Sequence, residues 1–185
     1  MIIQRTQINL LEKIASKVDW SGDINYIEIL PSDMSVDDNE LGVAGGNVNN
    51  VFDCFDFEFE ETGSIWFNFK YPYKWLMDRD IIFDLYYVLD GYDYGKQVIL
   101  NSSLWIMNLG VCSDEHRPTI TGNDLVFSGP TNVNKLAKHN ALGMTIPKNT
   151  IPSTDSLIAV KLTRNITTDT YNGHFKLLRI IGRQL

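Results

Sequence analysis

The sequence predicts an all-β protein, an antiparallel β-sandwich, on three observations. Apolar and polar residues alternate over short runs rich in aromatic and β-branched side chains, as in FDCFDFEFE from Phe52 and SIWFNFK from Ser64. Clusters of Gly, Pro, Asn and Asp, the residues that turns require, separate these runs. Extended helical spacing is confined to one stretch near the start of the chain.

That stretch is Gln7 to Val18, where Leu10, Leu11, Ile14, Ala15 and Val18 make one apolar stripe and Lys13 and Lys17 fall on the polar side. Trp20 and Gly22 end it. A short amphipathic helix outside a β-domain either packs over an open end of the sandwich or plugs into a partner. Residues 1–22 are therefore expected to form a helical extension or anchor, and residues 23–185 the sandwich.

Ile24 to Leu30 reads as a strand stopped by Pro31, and PSDMSVDDNELGVAGGNVNN after it reads as a long loop. Its Asp37, Asp38, Asn39 and Glu40 offer the oxygens a calcium ion needs, but without the spacing and central glycine of an EF-hand. Phe52 to Phe59 is the cleanest strand, with Phe55, Phe57 and Phe59 on one face and Asp56, Glu58 and Glu60 on the other. Ile65, Phe67 and Phe69 then alternate with Trp66, Asn68 and Lys70 until Tyr71-Pro72 breaks the ladder. Further strands are expected at Ile81 to Leu89, at Val98 to Leu109 with an irregularity at Ser102-Ser103, and near Thr119 to Phe127 with an interruption at Gly122-Asn123. Asn132 to His139 reads as a helical turn or a loop, and Leu142 to Ile146 leads into a connection bounded by Pro147 and Pro152.

The last third carries two apolar segments, Leu157 to Leu162 and Phe175 to Ile181, joined by a polar connection. Both have apolar residues on both faces, which places them inside a core or an interface. The predicted core is Phe55, Phe57, Phe59, Ile65, Phe67, Phe69, Phe83, Leu85, Val160, Leu162, Phe175 and Leu177, each on the more apolar side of its strand.

A chain of 185 residues fits one core and buries about two thirds of its unfolded surface. A formal net charge of −7 argues against nucleic acid as a partner, because that binding is driven by clustered Lys and Arg. No run is long and apolar enough for a membrane span, and no apolar leader core follows Met1 to Gln4, so folding in a reducing cytoplasm is expected. Cys54 and Cys112 are isolated in sequence and are read as free core thiols. Between Lys17 and Lys70 the only charged residues are acidic, whereas from Lys135 onward basic residues dominate. The two regions can meet within the fold or between copies in an assembly.

No constellation points to catalysis. His116, His139 and His174 sit in no recognisable motif, no serine occupies a Gly-x-Ser-x-Gly elbow, and no glycine-rich loop is placed to cradle phosphate. No histidine pair begins a metal site. The expectation is a non-enzymatic protein without cofactor or metal. Arg164 and Asp169 flank a short loop and are read as a structural pair in which the guanidinium holds the carboxylate, with Tyr171 covering both. Tyr71, Tyr73 and Trp75, in a run expected to be a loop, are the candidate ligand platform, since flat aromatic faces bind sugars. Core and interface packing is the competing use of such rings.

Asp155, Leu157, Val160, Lys161, Leu162 and Arg164, then Asp169, Thr170, Tyr171 and Gly173, then Leu177 and Leu178 follow an order that resembles the C-terminal signature of a jelly-roll module in tailed-bacteriophage virion proteins. FNFKYP followed by DIIFDLYYVLDG resembles the module's earlier strands, so the likeness covers roughly Ser64 to Leu185. Asn165, where an acidic residue is more usual, and His174 after the glycine depart from the pattern. The resemblance implies a jelly-roll-like sandwich serving in a fibre, baseplate, neck, head fibre or capsid decoration. It implies other virion proteins as partners, a homo-oligomer with a trimer favoured, and location in the virion after synthesis in the host bacterial cytoplasm. The rival reading is a jelly-roll module that binds a host-surface glycan or receptor.

Overall fold

The computed structural model describes residues 26–36, 42–58, 61–72, 75–91, 95–108, 119–128 and 135–185. The amphipathic stretch 7–18, the Asp37–Glu40 cluster, Phe59, Tyr73, Cys112 and His116 lie outside them. The described residues form twelve strands and two short 3-10 turns arranged as two antiparallel sheets, a β-sandwich.

Sheet A contains β1 (Tyr26–Ile29), β3 (Val43–Val48), β4 (Phe52–Phe57), β6 (Ile81–Asp90), β10 (Leu136–Asn140) and β12 (His174–Gln184). β12 is its centre. β6 runs along one edge of β12, while β4 and β1 lie end to end along the other, opposite 175–177 and 180–183 respectively. Sheet B contains β2 (Met34–Val36), β5 (Ser64–Lys70), β7 (Gln97–Met107), β8 (Ile120–Thr121), β9 (Leu125–Ser128) and β11 (Leu157–Arg164). β11 is the centre of this sheet, between β5 and β7.

The acidic front and the basic back meet in sheet A because β1 and β4 flank β12. Arg179 reaches Glu28 at 2.9 Å, and His174 Nδ1 lies 2.8 Å from Asp56.

Alternation places the core between the sheets. Phe57, Ile65, Phe67, Phe83, Leu85, Val160, Leu162, Phe175 and Leu177 are all buried there, and Phe55 and Phe69 pack against them partly buried. An aromatic group centres on Phe175, stacked on Tyr87 (5.1 Å, 15°) and met by Phe127 and Phe57 at 4.8 and 5.9 Å.

Three local expectations are corrected. The stretch after Pro31 is not one loop, since it contains β2 and β3. Val43–Val48 pairs with β4 as an edge strand whose Ala44, Gly45 and Gly46 bury little, so its sequence carries no alternation. Ser102-Ser103 makes no irregularity, because both pair in register with Leu162 and Lys161 at the centre of sheet B. Leu136–Asn140 is neither helical turn nor loop but a strand paired with β6. Finally, a β-bulge between Leu177 and Arg179 shifts the alternation of β12. Ile180 enters the core, while Arg179 and Ile181 face outward.

Candidate functional site

The connection between β11 and β12 is organised by a buried guanidinium. Arg164 ends β11 with no exposed surface, and its Nε donates to Asp169 Oδ2 at 2.7 Å. Nη1 donates to the carbonyls of Phe57 and Gly173 at 2.8 and 2.9 Å, and Nη2 to that of Tyr171 at 2.6 Å. Asp169 in turn accepts the backbone N–H groups of Tyr171 at 2.7 Å and Ile99 at 3.3 Å. The Tyr171 hydroxyl donates to the Gly91 carbonyl at 3.0 Å, tying the end of β6 to the same unit. A buried cation is tolerated here because its donors meet a carboxylate and three carbonyls in good geometry. Gly173 allows the close approach, since a Cβ there would lie 2.0 Å from the Asp90 carbonyl oxygen. Gly173→Ala is expected to destabilise by at least about 1 to 3 kcal/mol, measured by denaturant unfolding. A change near zero would show that this strand end yields freely.

The outer face of sheet A carries a second, smaller apolar cluster of Val48, Cys54 and Val88, with Leu178 packed against it. Burial raises the Cys54 thiol to about 11, helped by the Asp56 carboxylate beside it. The thiolate is the reactive form, so Cys54 is expected to resist alkylation at pH 8 in the native protein and to react on unfolding. Fast native labelling at Cys54, followed by mass spectrometry, would contradict the burial.

Beside this cluster is a groove of about 540 Å³. Its floor is Val88, Leu178 and Tyr86, and its walls come from the β3–β4 hairpin tip and the turn after β1. The groove opens where β4 peels away from β12 and β1 has not yet joined it. At the hairpin tip Asn49 and Asn50 adopt left-handed backbone (φ 55° and 57°), a conformation asparagine tolerates, and the Val51 N–H returns to the Val48 carbonyl. The turn thereby projects Val51 and Phe52, which are 72% and 58% exposed. Leu30 and Leu136 on the other rims are also exposed. Arg179, held by Glu28, lies 4.2 Å from the Tyr86 ring centre and closes one side. Several exposed apolar side chains around one concavity mark a binding surface. The sequence signal for it was an apolar pair, Val51-Phe52, directly after a turn-forming Asn-Asn, where polar residues are usual.

Two residues of the proposed aromatic platform, Tyr71 and Trp75, are corrected, while Tyr73 lies outside the described residues. Tyr71 and Trp75 are buried in the main core, 2% and 4% exposed, with their rings edge to face at 6.0 Å, so they offer no open face to a ligand. Sheet B instead carries Trp66 and Trp105, half-buried on its outer face. Their ring centres are 4.9 Å apart across the central strand. Both are opposite β11, where the small Ala159 leaves room between them, and Lys161 Nζ lies 5.3 Å from the Trp66 ring. His139 packs on Phe127 at 4.5 Å, where burial lowers its pKa, and His174 lies on Asp56 at the start of β12. The two histidines therefore serve different strands and do not meet in one site.

No family model matches the sequence, and no curated protein matches it. Solved structures with a similar fold include the functional form of the mosquito-larvicidal Cry4Aa toxin from Bacillus thuringiensis, at 15% identity and TM-score 0.48, covering 86% of this chain and 23% of that one. Another is the CBM22-2 xylan-binding domain of Paenibacillus barcinonensis Xyn10C, at 11% identity and TM-score 0.46, covering 89% of this chain and 95% of that one. A third is the enzymatically active domain of bacteriophage CBA120 tailspike protein 4, at 8% identity and TM-score 0.42, covering 88% of this chain and 20% of that one. This chain thus spans less than a quarter of the length of the toxin and tailspike chains.

Proposed function

We propose that this is a non-enzymatic structural protein of a tailed-bacteriophage virion, a jelly-roll-like sandwich that associates with copies of itself and with other virion proteins. The observation that carries the reading is the convergence of Arg164, Asp169, Tyr171 and Gly173 in one buried unit. These are the residues on which the resemblance to virion jelly-roll modules rests, and here they act together as architecture. The groove on sheet A, with Val51, Phe52 and Leu136 on its rim, supplies the association surface, since a symmetric copy is the commonest cover for a surplus apolar face.

Light scattering at tens of micromolar is expected to give a multiple of 21.1 kDa, a trimer being favoured, and Phe52→Asp with Leu136→Asp to lower it. A wild-type monomer would overturn self-association. Antibody labelling of particles in electron micrographs tests the virion assignment, and unlabelled particles would count against it.

Binding of a host-surface glycan is the second reading, favoured by the Trp66–Trp105 pair on the opposite sheet. A glycan screen separates the two: specific binding lost in Trp105→Ala supports the second, and no binding leaves assembly alone.

A further inference from the structure

The free edges of the two sheets are not alike. A strand with one unpaired side presents a row of N–H and C=O groups that another chain can pair with, and proteins blunt such edges with short strands, lysine, proline or bulges. Among the described residues β1, β2, β8 and β9 have four residues or fewer, and β10 carries Lys138 with Lys135 just before it. β3 ends sheet A on the side away from β10 and has none of these devices. Its six residues, VAGGNV, hold no charge and no proline, and they keep one unbroken register with β4. Ala44, Gly45 and Asn47 are exposed.

The hydrogen bonds fix which groups face the open side. The Glu58 N–H donates to the Gly42 carbonyl at 2.8 Å and the Val51 N–H to that of Val48 at 3.1 Å, so the even-numbered residues of this stretch turn toward β4. By the alternation of an antiparallel ladder, Val43, Gly45 and Asn47 turn their backbone groups the other way. These positions are symmetric about Gly45. A second β3, antiparallel, sets Val43 opposite Asn47 and Gly45 opposite its own counterpart, and these pairs exchange about six hydrogen bonds.

The centre of that contact is bare. A Cβ at Gly45 would meet nothing within 4 Å, and Ala44 and Gly46 beside it add at most a methyl, so two such edges can approach to the usual spacing of about 4.8 Å. A foreign strand added to an edge is selected by pockets for its alternate side chains. Between its two valines β3 offers only Ala44 and Asn47 to build them, and the occupant it fits is an identical strand. Asp56 of each copy lies one strand behind, opposite Ala44. The two carboxylates then stand at least three strand spacings, about 14 Å, apart, beyond the screening length of about 8 Å at physiological salt.

We propose that β3 is a self-pairing edge: β3 of one chain pairs antiparallel with β3 of a second copy about a two-fold axis at Gly45, and sheet A runs on through both chains. The inference rests on the self-association proposed above and adds a second contact to the groove. A two-fold joins chains in pairs, so a trimer built by the groove becomes a pair of trimers.

Gly45→Lys places two like charges at the axis, on side chains that enter open space in the single chain. Light scattering at tens of micromolar is expected to show an even number of chains in the wild type, half that mass in Gly45→Lys, and no change in Gly45→Ala. Residue-resolved hydrogen exchange on the associated wild type is expected to find the Gly45 and Asn47 amides at least about tenfold slower than exposed amides. Fast exchange at both would overturn the proposal whether or not Gly45→Lys folds. A wild-type monomer would overturn it together with the self-association reading. A wild-type assembly of odd number, or one whose mass Gly45→Lys leaves unchanged, would overturn the edge pairing alone and leave the groove as the contact between copies.

Discussion

Arg164→Ala is expected to cost about 3 to 5 kcal/mol, a large share of the total stability of a domain this size. The variant leaves Asp169 charged and buried and strips the donor from the carbonyls of Phe57, Tyr171 and Gly173. Asp169→Ala acts on the same unit from the other side. It leaves the guanidinium uncompensated and removes the acceptor for the N–H groups of Tyr171 and Ile99. Because each single change creates a buried charge without its partner, the double variant is expected to fall well short of the sum of the two. Denaturant unfolding of the three variants decides this. Additive losses would mean that the pair is not coupled and that each residue is held by the backbone alone.

Phe175→Ala is expected to cost about as much, 3 to 5 kcal/mol, by opening a cavity among Tyr87, Phe127 and Phe57. Phe67→Ala, also buried between the sheets, belongs to the same class. Phe52→Ala, on an exposed rim, is the control and should change stability by less than about 1 kcal/mol. A loss below about 1 kcal/mol for Phe175 would show that the aromatic group collapses around the gap.

The fold class was legible because the strongest strands obey a period of two. β4 and β5 each present one more apolar face, and their core residues follow from alternation. Three features were not legible, each for a physical reason. Val43–Val48 is an edge strand held by backbone pairing, and a strand that buries few side chains leaves no pattern. β12 changes phase at a bulge, so counting by twos from Phe175 would have sent Arg179 into the core in place of Ile180. Tyr71 and Trp75 look like loop aromatics on either side of a proline, but both are buried in the main core, where the Tyr71 hydroxyl accepts from Gln184 Nε2 at 3.2 Å. Of the candidate site, the Arg164–Asp169 contact lies between residues close in sequence and was visible for that reason. The groove was not, since it is made by five separated segments meeting beside the place where β4 leaves β12.

The two strands at the centres of the sheets, β11 and β12, are also the last two of the twelve in chain order. During synthesis β1, β4 and β6 therefore leave the ribosome with the strand that joins them still unmade, as do β5 and β7 of the other sheet. Sheet B cannot close until residue 164 has emerged, nor sheet A until residue 184. Until then the chain exposes unpaired edges, the form most open to chaperones and to aggregation. Nascent chains arrested before residue 174 should accordingly be protease-sensitive throughout, with resistance appearing in one step once β12 is free of the exit tunnel.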